Sequence, residues 1–247
     1  MTVDYDTGDE RELRELVAMA GRILYQQGLV DYLGHVSHRV AGTDRVVIKP
    51  KFSTRTRGHH SVTPGDLVVI DLDGTLVEGT ERPPAEVFIH TETYRARPDV
   101  ASVVHTHQPI STLMGVIGAP ILPVLHVPSA LLDDVEDMPT WPSPLLVTDP
   151  ERGREVAAAL GTHHACHLQG HGIVTVGPDV KSSAVRAVML EQLAQLSLAI
   201  AQTGRAARVI TPDERRELQR ESGPVAGRWA YYTQLVAQGD GGEVDRR

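Results

Sequence analysis

The chain has 247 residues, 41% of them hydrophobic and 23% charged, which suffices for one large globular domain, and its formal net charge of -8 argues against nonspecific binding to nucleic acids. Its single cysteine, Cys166, excludes an intrachain disulfide and favours a reducing compartment. Because no apolar run nears the roughly 20 residues that cross a bilayer, and because the acidic residues 1–10 do not form a signal peptide, we expect a cytoplasmic protein that does not bind membranes.

The first eighty residues are predicted to form one helix followed by short strands. Apolar residues recur at helical spacing over residues 9–28. Alternating or β-branched runs then predict four strands, over residues 34–40, 45–49, 67–71 and 75–77. The dipeptide Asp73-Gly74 is a hairpin signal between the last two of these strands.

The rest of the chain is predicted to mix helices with strands. A second helix is expected to begin at the prolines of positions 83 and 84, to hold Glu86 in its first turn and to end near residue 97. Residues 120–150 are rich in proline, so we expect an irregular segment with short strands at best. The other predicted elements are a strand over residues 100–105, a helix over 109–117, a helix over 151–160, strands over 165–168 and 172–176, and helices over 179–203, 211–220 and 223–237. These elements predict one α/β domain over residues 1–237, with a largely antiparallel or mixed sheet, and a disordered tail over residues 238–247.

Two histidines that flank Thr106 are the most informative chemical feature. In a strand, residues i and i+2 point to the same side, so His105 and His107 are expected to converge on one point and could bind a metal. His171, between two glycines, is a candidate third ligand. Three other histidines compete for that position, and spacing alone does not choose among them: His163, His164 and His167.

Glu86 is the candidate acid or base. It follows two prolines at a predicted helix start, where the helix N-terminus stabilises a carboxylate. The alternative is that Glu86 is only a capping partner of its own helix.

Five sequence blocks together resemble the class II aldolase/adducin family, over about residues 10–235. Residues 34–39 (Gly-His-Val-Ser-His-Arg) are similar to the family's GNVSxR, and residues 67–74 (Leu-Val-Val-Ile-Asp-Leu-Asp-Gly) form the second block. The others are Glu86-x-x-x-His90, then Arg97-Pro98-Asp99-Val100 running into the His-Thr-His sequence, and residues 171–177 (His-Gly-Ile-Val-Thr-Val-Gly).

The resemblance implies a metal site, a fold and an assembly. The implied ligands are His105, His107 and His171, which would hold one divalent metal per subunit, Zn²⁺ first and Mn²⁺, Fe²⁺ or Co²⁺ as alternatives, and Glu86 would be the catalytic acid/base. The implied fold is a single α/β/α layered domain with a mainly antiparallel central sheet. Homotetramers with active sites near subunit interfaces are typical of the family.

Departures from the family's sugar-phosphate enzymes point to another substrate. Those enzymes bind phosphate with a Ser-Gly turn and with two serines before the Glu, whereas Pro-Pro-Ala precedes Glu86 here and residues 51–60 form a longer, basic segment. His35 replaces the motif's Asn, and Val127 follows His126 where aldolases have a proton-donating Tyr.

We therefore expect a metal-dependent carbon–carbon lyase that decarboxylates a small anionic substrate, a non-phosphorylated hydroxy-aromatic or oxo carboxylic acid. Glu86 would deliver the proton, assisted by His35 or His126. The candidate substrate-binding residues are Arg55 and Arg57, which could pair with carboxylates unless they belong to a solvated loop, and Ser37 of the first block. Tyr231 and Tyr232 either reach a site or, by default, pack the last helix against the body.

Three other functions are considered. An aldolase or epimerase acting on a small sugar or sugar phosphate would use the same scaffold. An adducin-like interaction module would share the fold without the metal site, which the retained histidines and Glu86 argue against.

The third alternative is a haloacid dehalogenase-type phosphatase. The segment Val-Val-Ile-Asp-Leu-Asp-Gly-Thr matches that superfamily's first motif, with Asp71 as nucleophile, Asp73 as general acid and Mg²⁺ as cofactor. However, the only later lysine is Lys181, and the acidic pair Asp133-Asp134 precedes it, the reverse of the usual order.

Overall fold

An eight-stranded sheet forms the middle layer of the protein, in a computed structural model that describes residues 9–132, 134–221 and 224–239. In chain order the strands are β1 (His35–Arg39), β2 (Val46–Ile48), β3 (Val68–Ile70), β4 (Leu76–Glu78), β5 (Ser102–Thr106), β6 (Thr140–Trp141), β7 (Ala165–Leu168) and β8 (Gly172–Gly177). The helices are α1 (Glu10–Gln26), α2 (Val87–Ala96), α3 (Pro109–Ile117), α4 (His126–Leu131), α5 (Pro150–Leu160), α6 (Val180–Thr203), α7 (Pro212–Glu221) and α8 (Pro224–Gly239).

The sheet has the strand order β4-β3-β2-β1-β5-β8-β7-β6. All neighbouring strands are antiparallel except β6 and β7, which are parallel. The expected mainly antiparallel sheet is confirmed.

Helices cover both faces of the sheet, because successive strand residues point to opposite sides. Val47 of β2 and Val69 of β3 pack with α1, α4, α6 and α8. Their neighbours Val46, Ile48 and Ile70 pack with α2 and α5 on the other face. The expected α/β/α layering is therefore confirmed, with the candidate site on the α2 and α5 side.

Helix α6 is, by length and composition, apolar enough to cross a membrane, unlike the expectation that no segment approaches this requirement. Most of its apolar residues are buried in the core, although Leu196 near its end is 38% exposed. It also holds Glu191, whose carboxylate accepts the backbone N–H groups of Ile110 and Ser111 at the start of α3, both at 2.9 Å. These contacts are those of a core helix.

The structure differs from the predicted elements at three places. Helix α2 begins at Val87, so Glu86 is its N-cap residue rather than part of its first turn; Pro84 disfavours helical geometry at the residue before it. The proline-rich segment contains helix α4, because Val127, Ala130 and Leu131 recur at helical spacing and face the core. Helix α8 runs to Gly239, and the rest of the expected tail, residues 240–247, lies outside the described residues.

We predict that Gly153→Ala in α5 lowers the free energy of unfolding by about 1–3 kcal/mol. The new methyl group would lie 2.6 Å from the carbonyl oxygen of Phe88 and 2.7 Å from Cγ of Glu92, both on α2. Gly227→Ala in α8, which would meet nothing within 4 Å, is the matched control and should raise it by about 0.5–1 kcal/mol. Urea unfolding followed by circular dichroism measures both, and two variants of equal stability would contradict the close approach of α2 and α5.

Candidate metal centre

The register of β1 and β5 places two histidines side by side at one end of the sheet. His35 of β1 is directly opposite His105 of β5. Both side chains point to the face covered by α2. Their neighbours along the strands, Val36 and Val104, point the other way and belong to the core on the opposite face of the sheet. The ring centroids of the two histidines are 5.6 Å apart.

His105 and His107 converge, as the i, i+2 spacing predicts. His105 is fully buried, and its ring Nδ1 lies 2.9 Å from the carbonyl oxygen of Ile173. Donation to that carbonyl leaves Nε2 as the lone-pair nitrogen, and Nε2 lies 3.0 Å from Nε2 of His107. Such a backbone contact is the kind that orients a metal-binding imidazole.

His171 completes the group from the turn between β7 and β8. Its ring centroid is 4.9 Å from that of His105 and 5.1 Å from that of His107. Gly170 directly precedes His171, and its φ of 74° allows the tight turn there. A Cβ on Gly172 would lie 2.4 Å from the carbonyl oxygen of Thr106 and 3.0 Å from Cδ2 of His107, so only glycine lets the strands approach this closely.

Glu86 faces the three histidines from the start of α2. Its side chain makes no capping hydrogen bond, and instead accepts the backbone N–H of Val147 at 3.0 Å. Its carboxylate oxygens lie 3.5 Å from Nε2 of His171 and 3.9 Å from Nε2 of His105. Burial raises the pKa of Glu86, but His171, His105 and the Val147 N–H lower it to a net value of about 2, so the group is ionised at neutral pH.

These four side chains fit a divalent metal. Their ligand atoms all lie within 4.8 Å of one another, and the 3.0 Å between Nε2 of His105 and Nε2 of His107 is near the roughly 3.4 Å between two ligands that are each about 2.1 Å from a tetrahedral metal. Neither ring nitrogen of His171 has a hydrogen-bond partner, although both are buried. Burial, followed by the neighbouring imidazoles, lowers the pKa of His105 and of His107, which keeps both in the neutral form that binds metals.

The competing histidines lie elsewhere. His163 is in the turn that follows α5, and Nδ1 of His164 lies 3.3 Å from the carboxylate of Asp134. His167 on β7 lies against Gly115 of α3. Of the four candidate third ligands, His171 is the one that the structure brings to His105 and His107.

His35 lies beside the three clustered histidines, whereas Ser37 is buried beneath α2. The His35 ring is between those of His105 and His90, and burial is the main cause of its low pKa. Ser37 is fully buried, with its hydroxyl 2.7 Å from Nδ1 of His90 and 2.6 Å from the hydroxyl of Tyr94. Ser37 therefore contacts α2 rather than the open side of the site, where a substrate would bind.

A cavity of about 200 Å³ opens beside Glu86 and His35. The described residues that line it do not include Arg55, Arg57 or His126. The Arg55 side chain is 79% exposed and lies 3.6 Å from Glu81, and Arg57 lies 3.6 Å from Asp66. Both arginines thus have carboxylates of this chain beside them. His126 begins α4 and is exposed.

Two lysines line this cavity instead, and the sequence analysis missed both. Lys49 directly follows β2 and Lys51 comes two residues later. Their position in the connection that directly follows an apolar strand is the signal that could have identified them, because loops held by a rigid scaffold commonly carry site residues.

The phosphatase motif forms a hairpin turn. The Asp71 carboxylate accepts the backbone N–H groups of Asp73 and Thr75, at 2.9 and 2.8 Å. The Asp73 side chain is exposed and pairs with Arg95. The two carboxylates therefore have structural partners, and Asp133 lies outside the described residues.

The two tyrosines of α8 differ in their surroundings. Tyr232 is 6% exposed and packs in the core cluster beneath α8, whereas Tyr231 is 56% exposed. Packing of the helix, the default expectation, accounts for Tyr232.

Comparisons with known proteins agree with this fold and identify its relatives. The family model for the class II aldolase and adducin N-terminal domain matches residues 15–198. A 3,4-dihydroxyphthalate decarboxylase from Arthrobacter keyseri is 30% identical over 90% of this chain and 92% of its own length. One from Terrabacter sp. (strain DBF63) is 35% identical over 77% and 82%. The solved structure of L-fuculose 1-phosphate aldolase from Glaciozyma antarctica PI12 has the same fold, with a TM-score of 0.78 and 22% identity, covering 98% of this chain and 94% of that chain.

We predict that His107→Ala lowers the affinity for Zn²⁺ by at least about 100-fold, because the loss of a ligand should exceed the effect of losing a residue behind one. His167→Ala, which removes a buried histidine outside the group, is the matched control and should leave the affinity unchanged. Competition titration with a chelator measures both. Equal affinities in the two variants would contradict the assignment of the metal centre.

Proposed function

The chain belongs to the class II aldolase and adducin family, and we propose that it is a metal-dependent carbon–carbon lyase that decarboxylates a non-phosphorylated hydroxy-aromatic or oxo carboxylic acid. The observation that carries the proposal is the convergence of three histidines and one glutamate within 4.8 Å. The similarity to decarboxylases over most of both chains supports carbon dioxide as the leaving group.

The surroundings of Glu86 favour this proposal over sugar-phosphate cleavage. Pro84 and Ala85 line the cavity directly before Glu86 and offer no hydroxyl to a phosphate. Val127 occupies the position where the aldolases have a tyrosine, and it is buried in the core. Decarboxylation needs no acid at that position, because the leaving group departs as neutral CO₂.

The metal is proposed to be Zn²⁺, with Mn²⁺, Fe²⁺ or Co²⁺ as alternatives that the same donors accept. His105, His107 and His171 would hold it, and it would supply Lewis acidity toward substrate oxygens. The carbonyl of Ile173 fixes the His105 ring for this task.

Glu86 is proposed to move the proton. Its carboxylate is ionised before the substrate binds, so it accepts the proton of the substrate hydroxyl. The carbon–carbon bond to the departing carboxylate then breaks, CO₂ leaves, and the electron pair stays on carbon. Glu86 returns the proton to that carbon, which balances the reaction without an oxidant or reductant. The Val147 N–H holds the carboxylate in place throughout.

His35 is proposed to exclude water rather than to transfer a proton. It forms a wall of the cavity next to Glu86, and its low pKa keeps it neutral. His126 has no role in this scheme, since it lies outside the lining of the cavity.

We propose that the protein assembles into homotetramers with sites near subunit interfaces. Members of the family are often oligomeric. Tyr32, Phe52 and Leu146 are large apolar residues that line the cavity and are 44–55% exposed. Their coverage by a neighbouring subunit would remove apolar surface from water.

We predict that Glu86→Gln lowers kcat for CO₂ release about 100- to 10,000-fold, because the amide keeps an acceptor for the Val147 N–H but does not transfer a proton. The assay uses the Zn²⁺-reconstituted protein with a panel of hydroxy-aromatic diacids, 3,4-dihydroxyphthalate among them. Glu92→Gln, a buried glutamate on the same helix, is the control and should retain activity.

The same panel includes sugar phosphates, with aldehyde release as the second readout. Aldehyde from a sugar phosphate with no CO₂ from any acid would overturn the decarboxylase proposal. Loss of metal from Glu86→Gln, measured by elemental analysis, would make Glu86 a ligand instead of the proton carrier.

A further inference from the structure

We propose that Lys49 and Lys51 form an anion subsite beside the metal centre, and that it holds a second carboxylate, one that the substrate keeps after CO₂ leaves. The inference rests on the proposed decarboxylase function and makes the substrate a dicarboxylic acid. It transfers the anion-binding role from Arg55 and Arg57 to residues that line the cavity.

Lys49 is a buried cation whose ammonium group contacts no carboxylate, although Asp66 lies near enough to raise its pKa. It is 3% exposed, and its ammonium donates to the carbonyl oxygen of Pro50 at 3.3 Å. Within the described ranges, no carboxylate oxygen lies within 4.0 Å of its Nζ. Removing an ammonium group from water without a counter-ion is unfavourable, so an anion in the cavity would compensate for the burial. Burial lowers the pKa of Lys49 to about 8, which leaves most of it charged at neutral pH.

Lys51 brings a second positive charge to the same cavity. Both lysines line this cavity, although Lys51 is exposed and Lys49 is buried. The backbone N–H of Lys51 donates to the carbonyl oxygen of Arg82 at 2.8 Å, which fixes the base of this exposed side chain. Lys49 would supply a buried contact and Lys51 a mobile one.

The position of the lysines relates the subsite to the metal centre. Glu86 and His35 line the same cavity as the two lysines, so a ligand in it would contact both the edge of the metal group and the lysines. Tyr32, Phe52 and Leu146 add apolar surface to the lining of this cavity, which suits the ring of an aromatic acid. A diacid would thus have one carboxylate at the site of bond cleavage and one at the lysines.

Two ligand pairs, each differing by one anionic group, test the subsite with the Zn²⁺-loaded full chain. The first pair is 3,4-dihydroxybenzoate and catechol, and the second is dihydroxyacetone phosphate and dihydroxyacetone. Isothermal titration calorimetry measures all four affinities. The variants are Lys49→Met and Lys51→Met, with Arg55→Met and Arg57→Met as matched controls from the same basic segment.

We expect the wild type to bind 3,4-dihydroxybenzoate about 10- to 100-fold more tightly than catechol, the effect of a charge-assisted hydrogen bond. Lys49→Met should abolish most of this preference and Lys51→Met part of it, while catechol affinity stays unchanged and so shows that the variants fold. The arginine variants should keep the full preference.

The remaining outcomes separate the two proposals. A full carboxylate preference in both lysine variants would overturn the subsite, whatever acids release CO₂. A lysine-dependent preference for the phosphate pair, with none for the carboxylate pair, would reject the second carboxylate and argue against the decarboxylase as well. CO₂ release with no lysine-dependent preference in either pair would leave the proposed function standing and reject the subsite alone.

Discussion

The pairing of β5 with both of its neighbours is the constraint on which the candidate site depends. On one side it sets His35 opposite His105, and on the other it pairs Thr106 with Ile173, so that Gly172 reaches the end of β5. A slip of one residue would turn His105 to the opposite face of the sheet. The lack of a side chain at Gly172 then sets how closely the histidines can gather. The site is thus a product of sheet register, and the loops around it only complete it.

The features that the sequence predicted correctly depend on short-range rules. The helices and strands follow from apolar periodicity, and the convergence of His105 and His107 follows from the two-residue repeat of a strand. The choice of His171 among four histidines was different, because it depends on which strands are neighbours. Spacing left that choice open, and the resemblance to a family, through five blocks in order, was needed to make it.

Three predicted substrate-binding residues do not line the cavity, because sequence patterns do not give the direction of their side chains. Ser37 is on the same face of β1 as His35, but it lies two residues further along the strand, where α2 covers it. Arg55 and Arg57 belong to a segment without regular structure, whose path no periodicity determines. Lys49 was overlooked because it ends an apolar run and was counted as part of a strand.

The hydrogen bonds that join Ser37 to His90 and Tyr94 have a consequence for catalysis. They tie the middle of α2 to β1, the strand next to His105, at two points one helical turn apart. Glu86 begins that same helix, so its distance from the histidines is set by buried contacts and not by a mobile loop. A carboxylate held in this way would need little reorganisation in the proposed proton transfer, which is the condition under which fixed polar groups lower a barrier most.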